Sequence, residues 1–591
     1  MQIVQNIHQA VIKSLFTIYN LAFTEKDFQV NKTKPEFEGD YTVVLFSLLK
    51  TTGTSADKLG QELGADLVKN NPELFTRFNI IKGFLNFHIA DSFWIALLQN
   101  NYNDICYGKK PLNGKKVMVE YSSPNTNKPL HLGHLRNNFL GWSVAEILKA
   151  SGFQVVKSCV VNDRGIHICK SMVAWQLFAN DATPQSTHMK GDHFVGDYYV
   201  KFNDEYKKEV KELTDQGIPP AEAEKQAPIM IATQEMLQDW EAGKPGVINL
   251  WNKMNGWVYE GFDVTYKTIG SDFDETYYES QTYLLGKDIV QQGIDKKIFF
   301  TKHDGSVWID LTAEGLDEKL VLRKDGTSVY ITQDIGLAKQ KYEEYKIDQS
   351  IYVIGDEQNY HMKVLKLIAQ KMGVPAADDI HHLSYGMVEL PTGKMKSREG
   401  TVVDADDIVA EMEKEAEEKT AALGKVKDFT AEELKHLFHT IGLGALKFFL
   451  LRVDPKKRMV FNPEESIDFH GFTGPFIQFN YARIKSILRK NELVPGKKVA
   501  PDFLPLEKEL IILLEQFEAV IEQACAELNP SAIAIYVFTV AKTFSSFYTE
   551  HSIANAETAE KKQLRLQLSV MTANVIKSGM QLLGIDVPER M

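Results

Sequence analysis

The sequence predicts an α/β protein with a parallel central sheet, a small α/β unit in front of it and an all-helical unit behind it. A strand–turn–helix–strand pattern starts at "KKVMVEYSS". Strands leading to helices return at "TSVYITQDIGLAKQKY" and "QSIYVIGDEQNYHMKVLKLIAQ", and the strand pattern fades after about residue 410. Because parallel strands are joined by crossover helices, this order of elements favours a parallel sheet with right-handed crossovers.

A chain of 591 residues is too long for one hydrophobic core, so three or four domains are expected. We place an α/β appendage at residues 1–108, up to the turn around Gly108, and the main α/β domain at 109–425. Within that domain, the charged and aromatic stretch at about 172–300 is predicted to be an insertion between the halves of the sheet. Residues 426–591 are predicted to be helical throughout, with the longest helix at 504–528.

The first β-α-β unit carries the clearest local signals. Residues 117–121 are predicted to form a short apolar strand, residues 132–150 a helix, and "FQVVKSCVV" the next strand. Gly152 follows the helix, and glycine often ends helices because it adopts a left-handed backbone without strain. A unit of this size predicts that the two strands are parallel.

Composition indicates a cytoplasmic protein. With 44% hydrophobic and 25% charged residues the chain is typical of globular proteins, and no apolar run approaches the roughly 18 residues of a membrane span. The N-terminal "MQIVQNIHQAVIKSLFTIYN" lacks the features of a signal peptide and is predicted to form an amphipathic helix. Cys106, Cys159, Cys169 and Cys525 show no C-x-x-C spacing, which argues against disulfides or a zinc ribbon.

Charge is distributed unevenly along the chain. The formal net charge of −12 argues against a nucleic-acid partner, yet "LKFFLLRVDPKKR" and "YARIKSILRKNELVPGKK" are strongly basic. A solvated helix face is one interpretation of these segments. Because the rest of the chain is acidic, they are also a candidate contact surface for phosphates.

The stretch "NKPLHLGHLRNN" contains two histidines three residues apart around Gly133. His131 and His134 could bind a metal from one helix face, but no further ligand signature lies nearby. They could pack in the core, although unpaired imidazoles are costly to bury. At the turn between strand and helix, they would instead donate hydrogen bonds to phosphate oxygens at the carboxyl edge of the sheet. This third interpretation fits best, and Gly133 would let a base or ribose approach the backbone.

The flanking residues make the motif specific. "VEYSSPNTNKPLHLGHLRNN" closely resembles the first signature of class I aminoacyl-tRNA synthetases, in the form carried by the arginyl enzymes, and "YGMVELPTGKMKSREGTVV" is similar to their second signature. "TGPFIQFNYARIKSIL" and "LLGIDVPERM" resemble the anticodon-binding domain of the same family. The resemblance covers most of residues 117–591. It implies a Rossmann-like catalytic domain with insertions, an N-terminal appendage that touches the outer corner of tRNA, and an all-α C-terminal anticodon-binding domain.

The resemblance also implies which residues handle ATP. Those with a catalytic role would be His131, His134, Lys128 and Lys394. Those that bind ATP would be His131, Gly133, His134, Lys394, Met395 and Ser397. Ser397 stands where the family usually has a second lysine, with Lys396 displaced by one position, and Lys128 is expected to supply the missing charge. The alternative for Lys128 is a solvated lysine in a turn.

Arginine selection needs carboxylates and polar acceptors that match a guanidinium group. The resemblance places these on Glu120, Asn125, Tyr330, Asp334 and Gln358. His361 would help to close the site. An acidic residue in such a place is otherwise usually a cap or an ion-pair partner, and Asp334 would be interpreted in that way without the resemblance.

One segment departs from the family pattern. After the second strand the family usually has Gly-Asp-Trp-Gly-Thr-Gln-Phe-Gly, whereas this chain has "NDRGIHICK". Asp163 and Gly165 are retained, but Arg164 replaces the tryptophan and His167 the glutamine. The resemblance therefore assigns no role to His167.

Contacts with tRNA are implied for the helical domain. The residues expected to make them are Arg452, Lys456, Lys457, Phe479, Tyr481 and Arg483. Aromatic rings stack on unpaired bases and basic groups bind phosphates. The alternative for the rings is packing between helices.

The activity that the resemblance implies is ATP-dependent ligation of L-arginine to tRNA(Arg) through an arginyl-adenylate. Mg²⁺ would accompany ATP, and no tightly bound cofactor or dedicated metal site is expected. The partners would be tRNA(Arg), L-arginine and ATP, with no membrane contact, and the chain is expected to be a monomer. The alternatives are a class I synthetase of another specificity and a non-catalytic tRNA-binding relative.

Overall fold

The chain begins with helices packed on an antiparallel sheet. The structure is a computed structural model that describes residues 2–34, 36–283, 285–391, 403–422 and 428–591. The elements of the first unit are α1 (Gln2–Tyr19), β1 (Val30–Lys32), β2 (Tyr41–Val44), α2 (Phe46–Thr52), α3 (Ala56–Asn70), β3 (Phe75–Ile81), β4 (Phe84–Ile89) and α4 (Asp91–Asn101). The sheet order is β1-β2-β4-β3. Helix α1 is amphipathic as predicted, since Ile3, Ile7, Val11 and Leu15 form a fully buried stripe.

A parallel sheet forms the centre of the molecule. The elements from there to the second signature are β5 (Lys116–Glu120), α5 (Leu132–Ala150), β6 (Gln154–Val161), α6 (Ile166–Phe178), α7 (Pro184–Thr187), α8 (Gly191–Asp215), α9 (Pro220–Gln226), α10 (Pro228–Glu241), α11 (Pro245–Ile269), β7 (Glu275–Tyr278), α12 (Glu279–Thr282), α13 (Gly286–Asp295), β8 (Phe299–Thr301), β9 (Val307–Ile309), β10 (Lys319–Leu322), α14 (Tyr330–Tyr345), β11 (Gln349–Gly355), α15 (Asn359–Met372), β12 (Ile380–Tyr385) and β13 (Val388–Glu389). The sheet order is β12-β11-β5-β6-β7, and every neighbouring pair is parallel. The predicted fold class is confirmed.

The first β-α-β unit has the predicted elements, and α5 spans residues 132–150. Gly152 then adopts a φ of 91°, and a Cβ atom there would lie 2.2 Å from the Pro111 carbonyl oxygen. The turn after α5 therefore requires glycine both for its backbone conformation and for its close approach to the preceding segment.

Two predictions for the α/β domain were wrong in detail. The range 172–300 was predicted to be an insertion, but β7 lies inside it and pairs with β6 from Ser158↔Glu275 to Val161↔Tyr278. A strand was predicted at "TSVYI", but Ser328 makes only a single bridge with Leu322, and α14 starts at Tyr330. The first error concerns a short strand whose state is decided by pairing with a distant strand, which local patterns do not report.

The chain ends in a bundle of helices. Its elements are α16 (Ala405–Ala422), α17 (Ala431–Leu451), β14 (Met459–Val460), α18 (Pro463–Ser466), α19 (Gly474–Lys490), α20 (Pro505–Glu515), α21 (Phe517–Glu527), α22 (Pro530–Glu550) and α23 (Ala559–Leu582). The helix predicted at 504–528 is divided at Gln516, so α23 is longer than either part. The unit is also not helical throughout, because β14 pairs with β13 of the preceding α/β unit.

Helix α17 is long and apolar enough to cross a membrane by length and composition alone, with a mean hydropathy of 1.2. However, 67% of that stretch is buried inside the protein. Its fully buried residues include Ile441, Leu446 and Phe448. These features are those of a core helix in a globular protein.

Arg136 joins α5 to the helical unit. Its guanidinium is fully buried and donates to the carbonyl oxygens of Met387 at 3.3 Å, Pro455 at 3.2 Å and Lys457 at 2.8 Å. Burial lowers the pKa of Arg136 to about 10. The loop at 455–457 is thus fixed to the first helix of the central sheet.

A buried charge cluster holds α20 against α23. Glu507 is fully buried, and its oxygens lie 2.7 Å from Nε of Arg565 and 2.7 Å from Nζ of Lys561. It also accepts the N–H of Leu504 at 2.8 Å, which caps the start of α20. Two cations and one helix end depend on this single carboxylate.

We predict that Glu507→Gln destabilises the helical unit by up to about 3–5 kcal/mol, because it removes the buried carboxylate between Arg565 and Lys561. The two cations then keep only the more exposed carboxylates of Glu557 at 2.8 Å and Asp502 at 3.7 Å. Thermal and urea unfolding followed by circular dichroism would measure this as a lower midpoint. The matched control is Glu418→Gln, which removes one partner of the exposed Lys414–Glu418 pair at 3.9 Å and is expected to change the free energy of unfolding by at most about 0.5 kcal/mol. Equal effects of the two substitutions would contradict the assignment.

Candidate active site

A cavity of about 510 Å³ opens at the carboxyl edge of the central sheet, beside the neighbouring strands β5 and β11. The chain runs from β5 to β6 on one side of the sheet and places β11 on the other, so this is the switch point of the sheet. Open parallel sheets bind their ligands at this position. Of the residues predicted to serve ATP or arginine, those lining the cavity are Glu120, His131, Gly133, His134, Tyr330, Asp334, Gln358 and His361.

The two histidines cap the first turn of α5. Nδ1 of His131 accepts the Gly133 N–H at 3.1 Å, and Nδ1 of His134 accepts the His131 N–H at 3.1 Å. The ring centroids are 4.0 Å apart. These bonds satisfy amide groups that have no partner within the helix. The rings are therefore held at the helix end that attracts anions.

The same hydrogen bonds determine which ring nitrogen carries the proton. Burial, together with the positive charge of Lys128, lowers the pKa of His131 to about 3. Burial also lowers the pKa of His134 well below its usual value, with contributions from His131 and Lys128. Both rings are neutral near pH 7, and since Nδ1 accepts a hydrogen bond, Nε2 carries the hydrogen. Each imidazole presents an Nε2–H donor that the helix cap does not use.

Gly133 leaves room for the cap. A Cβ atom at this position would lie 3.0 Å from Cε1 and 3.1 Å from Nδ1 of His131. The His131 ring folds back over the glycine, so a side chain there would push it out of place.

Two residues expected at the site lie beside the cavity and not in its lining. Lys128 borders a neighbouring cavity of about 180 Å³, which shares His131 with the first, and its charge acts on both histidines. Asn125 is exposed, and its backbone bridges that of Asn162, which does line the main cavity. The remaining predicted residues, Lys394, Met395 and Ser397, with Lys396 and Arg398, lie outside the described residues.

The segment directly after the second signature, from Asp404 to Asp406, lies beside the histidines. The Ala405 N–H donates to the Leu130 carbonyl oxygen at 2.9 Å, and Asp404 pairs with His131 through a backbone bridge. Asp406 lies 2.6 Å from Nζ of Lys190 and 3.1 Å from Nε2 of His193. The segment that follows the second signature therefore contacts both the first signature and α8 with its N-terminal flank.

Asp192, His193 and Asp406 are close enough together to hold a metal ion. However, the Lys190 ammonium lies 3.1 Å from the Asp192 carboxylate as well as 2.6 Å from Asp406. A lysine cation thus already occupies the centre of this cluster, which is a structural ion-pair network.

Tyr330 and Asp334 lie one turn apart at the start of α14, on the cavity. Asp334 Oδ2 is 2.6 Å from Nε2 of His361, on α15. Tyr330 is 72% exposed, and Gln358 precedes α15 on the facing side. The first turns of the two helices together form a polar wall.

Glu120 is paired with a buried lysine. Its carboxylate forms an ion pair with Lys341 of α14, whose ammonium lies 4.8 Å from the ring centroid of Tyr352. Glu120 and Lys341 are 7% and 1% exposed. The lysine compensates the charge of Glu120, so this residue brings a polar oxygen to the cavity and little net negative charge.

Glu279 is a cavity residue that sequence reasoning missed. It follows β7 directly and lines the cavity, where the charge of Asp334 acts on it. Burial raises the pKa of Glu279, and the nearby Arg164 opposes this effect. The available signal was its position after "ETYY", at the end of a strand, which is the same signal that selects Glu120. This signal was overlooked because the strand before Glu279 was assigned to the predicted insertion.

Asp163 fixes the segment that carries Glu279. Its carboxylate accepts the Ser280 N–H at 2.8 Å, the Ser280 hydroxyl at 2.6 Å and the Tyr259 hydroxyl at 2.9 Å. Its backbone carbonyl accepts Trp251 Nε1–H at 2.6 Å. Asp163 is 1% exposed, so these charge-assisted bonds are shielded from water.

The two substitutions next to Asp163 are accommodated outside the cavity. The Arg164 guanidinium lies 4.0 Å from the ring centroid of Tyr283 and 5.1 Å from that of Trp240. His167 is exposed, and its Nδ1 is 3.2 Å from the Tyr199 hydroxyl. Arg164 thus attaches α10 to the end of β6 by cation–π contact.

The residues expected to contact tRNA differ in their exposure. Lys456 and Lys457 are exposed, whereas Tyr481 is 2% exposed and packs in the core. Arg452 stacks 4.1 Å from the Phe449 ring and binds Glu465 and the Phe472 carbonyl. The alternative of packing between helices thus holds for Tyr481, whose buried ring leaves no face for a base.

Arg483 and Phe479 form a half-buried pair, with the guanidinium 4.8 Å from the ring centroid. Arg483 also donates to Asn480 at 3.1 Å and to the Ser545 hydroxyl at 3.3 Å. Burial lowers the pKa of Arg483.

Three family models match the chain in succession. The model described as "tRNA synthetases class I (R), catalytic domain" matches residues 96–462. The "DALR anticodon binding domain" matches residues 477–591, and the "Arginyl tRNA synthetase N terminal domain" matches residues 1–89.

Relatives match along the whole length. A protein of Parabacteroides distasonis named arginine–tRNA ligase is 50% identical, with all of both chains covered, and one of the same name from Bacteroides fragilis is 52% identical over all of both chains. Among solved structures, the arginyl-tRNA synthetase of Thermus thermophilus aligns with a TM-score of 0.81 and 24% identity over all of both chains. That of Plasmodium falciparum aligns with a TM-score of 0.77 and 17% identity, covering 100% of this chain and 99% of that one.

We predict that His131 and His134 are neutral Nε2–H tautomers throughout the range from about pH 5.5 to 8, because burial lowers both pKa values far below 6.5. Nitrogen-15 NMR of the labelled protein would show one protonated Nε2 and one unprotonated Nδ1 for each ring, with shifts that do not change with pH. His131→Gln and His134→Gln variants assign the signals. Titration near pH 6.5, or an Nδ1–H tautomer, would contradict the proposed cap.

Proposed function

The chain belongs to the class I arginyl-tRNA synthetase family, and on that premise we propose that the cavity at the switch point of its sheet is the catalytic site. The protein is an arginine–tRNA ligase, which uses ATP to charge tRNA with arginine. The observation that carries the location is the reciprocal histidine cap. It presents two neutral N–H donors at the positive end of α5, in a cavity that also holds the carboxylates of Asp334 and Glu279.

At the phosphate end, His131 and His134 donate to the oxygens of the α-phosphate, where negative charge grows in the transition state. The arginine carboxylate forms a bond to the α-phosphorus while the bond to the leaving pyrophosphate breaks. Because both imidazoles are neutral, they stabilise this charge without transferring a proton. Lys128 adds positive charge beside them, and Lys394, Met395 and Ser397 of the second signature complete the ATP site.

In the second step, a terminal ribose hydroxyl of tRNA attacks the carbonyl carbon of arginyl-adenylate. The new ester bond forms, the bond to AMP breaks, and the hydroxyl proton passes to the phosphate of the leaving AMP. No side-chain nucleophile is required, so the protein acts by positioning and electrostatics.

At the arginine end, Asp334 and Glu279 supply the negative charge for the guanidinium group. Both line the cavity, and a guanidinium binds two carboxylates with several charge-assisted hydrogen bonds. Tyr330 and Gln358 add polar contacts. Glu120 acts as an acceptor held in place by Lys341, and Asn125 contributes from the rim.

Contacts with tRNA involve residues 1–108 and 426–591, with residues 109–425 as the catalytic domain. In the helical domain, Lys456 and Lys457 are exposed and suited to bind phosphates, and the Arg483–Phe479 pair is suited to stack on a base. Arg452 and Tyr481 support this surface from within.

Mg²⁺ would accompany ATP by binding its phosphate oxygens, as oxygen-rich ligands favour this ion. The protein acts in the cytoplasm, without a membrane partner, and as a monomer. Sedimentation of the free protein at 67.0 kDa would support the monomer, and a mass of twice that value would refute it.

We predict that Asp334→Asn lowers kcat/KM for arginine by at least about 30-fold, because loss of one partner of a desolvated charge pair costs about 2–5 kcal/mol. The measurement is arginine-dependent charging of tRNA, with tRNA affinity measured separately and expected to be unchanged. Glu343→Gln, on the exposed side of the same helix, is the matched control.

The same assay tests the function. Charging with a different amino acid, and not with arginine, would point to another class I specificity. Absence of charging together with intact tRNA binding would point to a non-catalytic relative.

We predict that Asp163→Asn raises KM for arginine about tenfold or more while kcat falls less, because it weakens the charge-assisted bonds that position Glu279, each worth about 1.5–3 kcal/mol. Steady-state charging kinetics would separate the two effects. Glu241→Gln, which removes the exposed partner of Arg164 at 3.5 Å, is the control. A fall in kcat of about tenfold or more, with an unchanged KM for arginine, would refute the positioning role.

A further inference from the structure

A second cavity, of about 660 Å³, lies where the catalytic unit meets the helical unit. Its walls come from α5, the end of α11, α17, the end of α23 and the segment after α23. It shares no lining residue with the catalytic cavity. Its volume is within the range of cavities that bind small ligands.

Lys447 brings a buried cation to this cavity. It is 5% exposed, and its ammonium donates to the Gly584 carbonyl oxygen at 2.6 Å. The other groups near the ammonium are apolar or glycine: it lies 5.4 Å from the Phe139 ring centroid, and a Cβ atom at Gly270 would be 3.3 Å from it. In the part of the chain that the structure describes, no carboxylate forms an ion pair with it.

A buried ammonium without an anionic partner is unfavourable. Burial accordingly lowers the pKa of Lys447 to about 8, although Asp586 opposes the effect from a distance. An anion in the cavity would remove this penalty, because it would supply the missing counter-charge.

The remaining charges of the cavity favour an anion as well. Lys109 and Lys267 line it with exposed side chains, and neither forms an ion pair within the described ranges. Glu146 is already matched by Lys149 and Lys157, each at 2.9 Å. Asp586 is then the remaining acidic residue of the lining, compared with three lysines, Lys109, Lys267 and Lys447.

We propose that this interdomain cavity is a binding site for a phosphate-type anion, held by Lys447 at its inner end and by Lys109 and Lys267 at its mouth. Lysine binds phosphate as a compact point charge, and three lysines suit a dianion. Two sources share this chemistry: free phosphate in solution and a phosphate group of tRNA.

The first arm of the test uses inorganic phosphate and the full-length protein. Calorimetric titration is carried out at constant ionic strength, with arginine and a non-hydrolysable ATP analogue filling the catalytic cavity. We expect saturable binding that Lys267→Gln weakens up to about fivefold, the value for loss of one exposed charge worth up to about 1 kcal/mol. Lys447→Met, which keeps the length of the side chain, should abolish it, and Lys414→Gln on the exposed face of α16 should leave it unchanged.

The second arm uses tRNA. If a tRNA phosphate is the natural occupant, Lys267→Gln and Lys109→Gln each lower the affinity for tRNA. Together they reduce the slope of log affinity against log salt concentration by about one to two. Lys414→Gln is expected to change neither quantity. The two exposed lysines carry this test even if Lys447→Met fails to fold.

The proposal fails if phosphate binding is absent or insensitive to these lysines and tRNA binding is also unchanged. Neither result depends on arginine selection, so it would leave the proposed catalytic site unaffected.

Discussion

The side-chain amide of Asn137 joins the two halves of the central sheet at the point where they part, and the candidate active site depends on this contact. Asn137 accepts the Ser122 N–H at 2.6 Å and donates to the Val353 carbonyl oxygen at 2.7 Å. It thereby fixes α5 to both β5 and β11. Ser122 has a φ of 60°, a conformation that a buried residue other than glycine adopts only where its surroundings impose it. His134 lies one turn earlier on the same helix, so the contacts of Asn137 also fix its position above the sheet.

The fold followed from the sequence wherever a local signal and the tertiary arrangement agreed. The unit β5-α5-β6 has a strand, a helix start, a glycine stop and a second strand, all within 50 residues, and it was predicted correctly. Local sequence patterns failed to predict secondary structure where contact with a distant part of the chain decides it. Strand β7 exists because β6 offers it an edge, and the helix predicted at 504–528 divides at Gln516 although its apolar pattern continues across the break.

The residues of the candidate site divide in the same way, into those that sequence patterns indicate and those that only the fold brings together. Motif and spacing pointed to the histidines, because they lie three residues apart at the start of one helix. Tyr330 and Asp334, at the start of another helix, were expected only from the resemblance to the arginyl enzymes. The side chains that hold the cavity in shape could not be found in this way. Glu120 meets Lys341 and Asp163 meets Ser280 from more than 100 positions away, so only the fold brings them together. Burial likewise decided the role of Tyr481, which the sequence presents as an aromatic residue like any other.

Arg136 makes the two large units of this chain inseparable. Two of the three carbonyl oxygens that bind its buried guanidinium belong to the loop at 455–457, beyond α17. A fragment cut before this loop would keep a desolvated charge with a single acceptor, and hydrogen bonds to charged groups are worth about 1.5–3 kcal/mol each. The helical unit therefore cannot be exchanged between relatives as a free-standing cassette. A functional chimera has to carry the 455–457 loop together with the helix α5 that binds it.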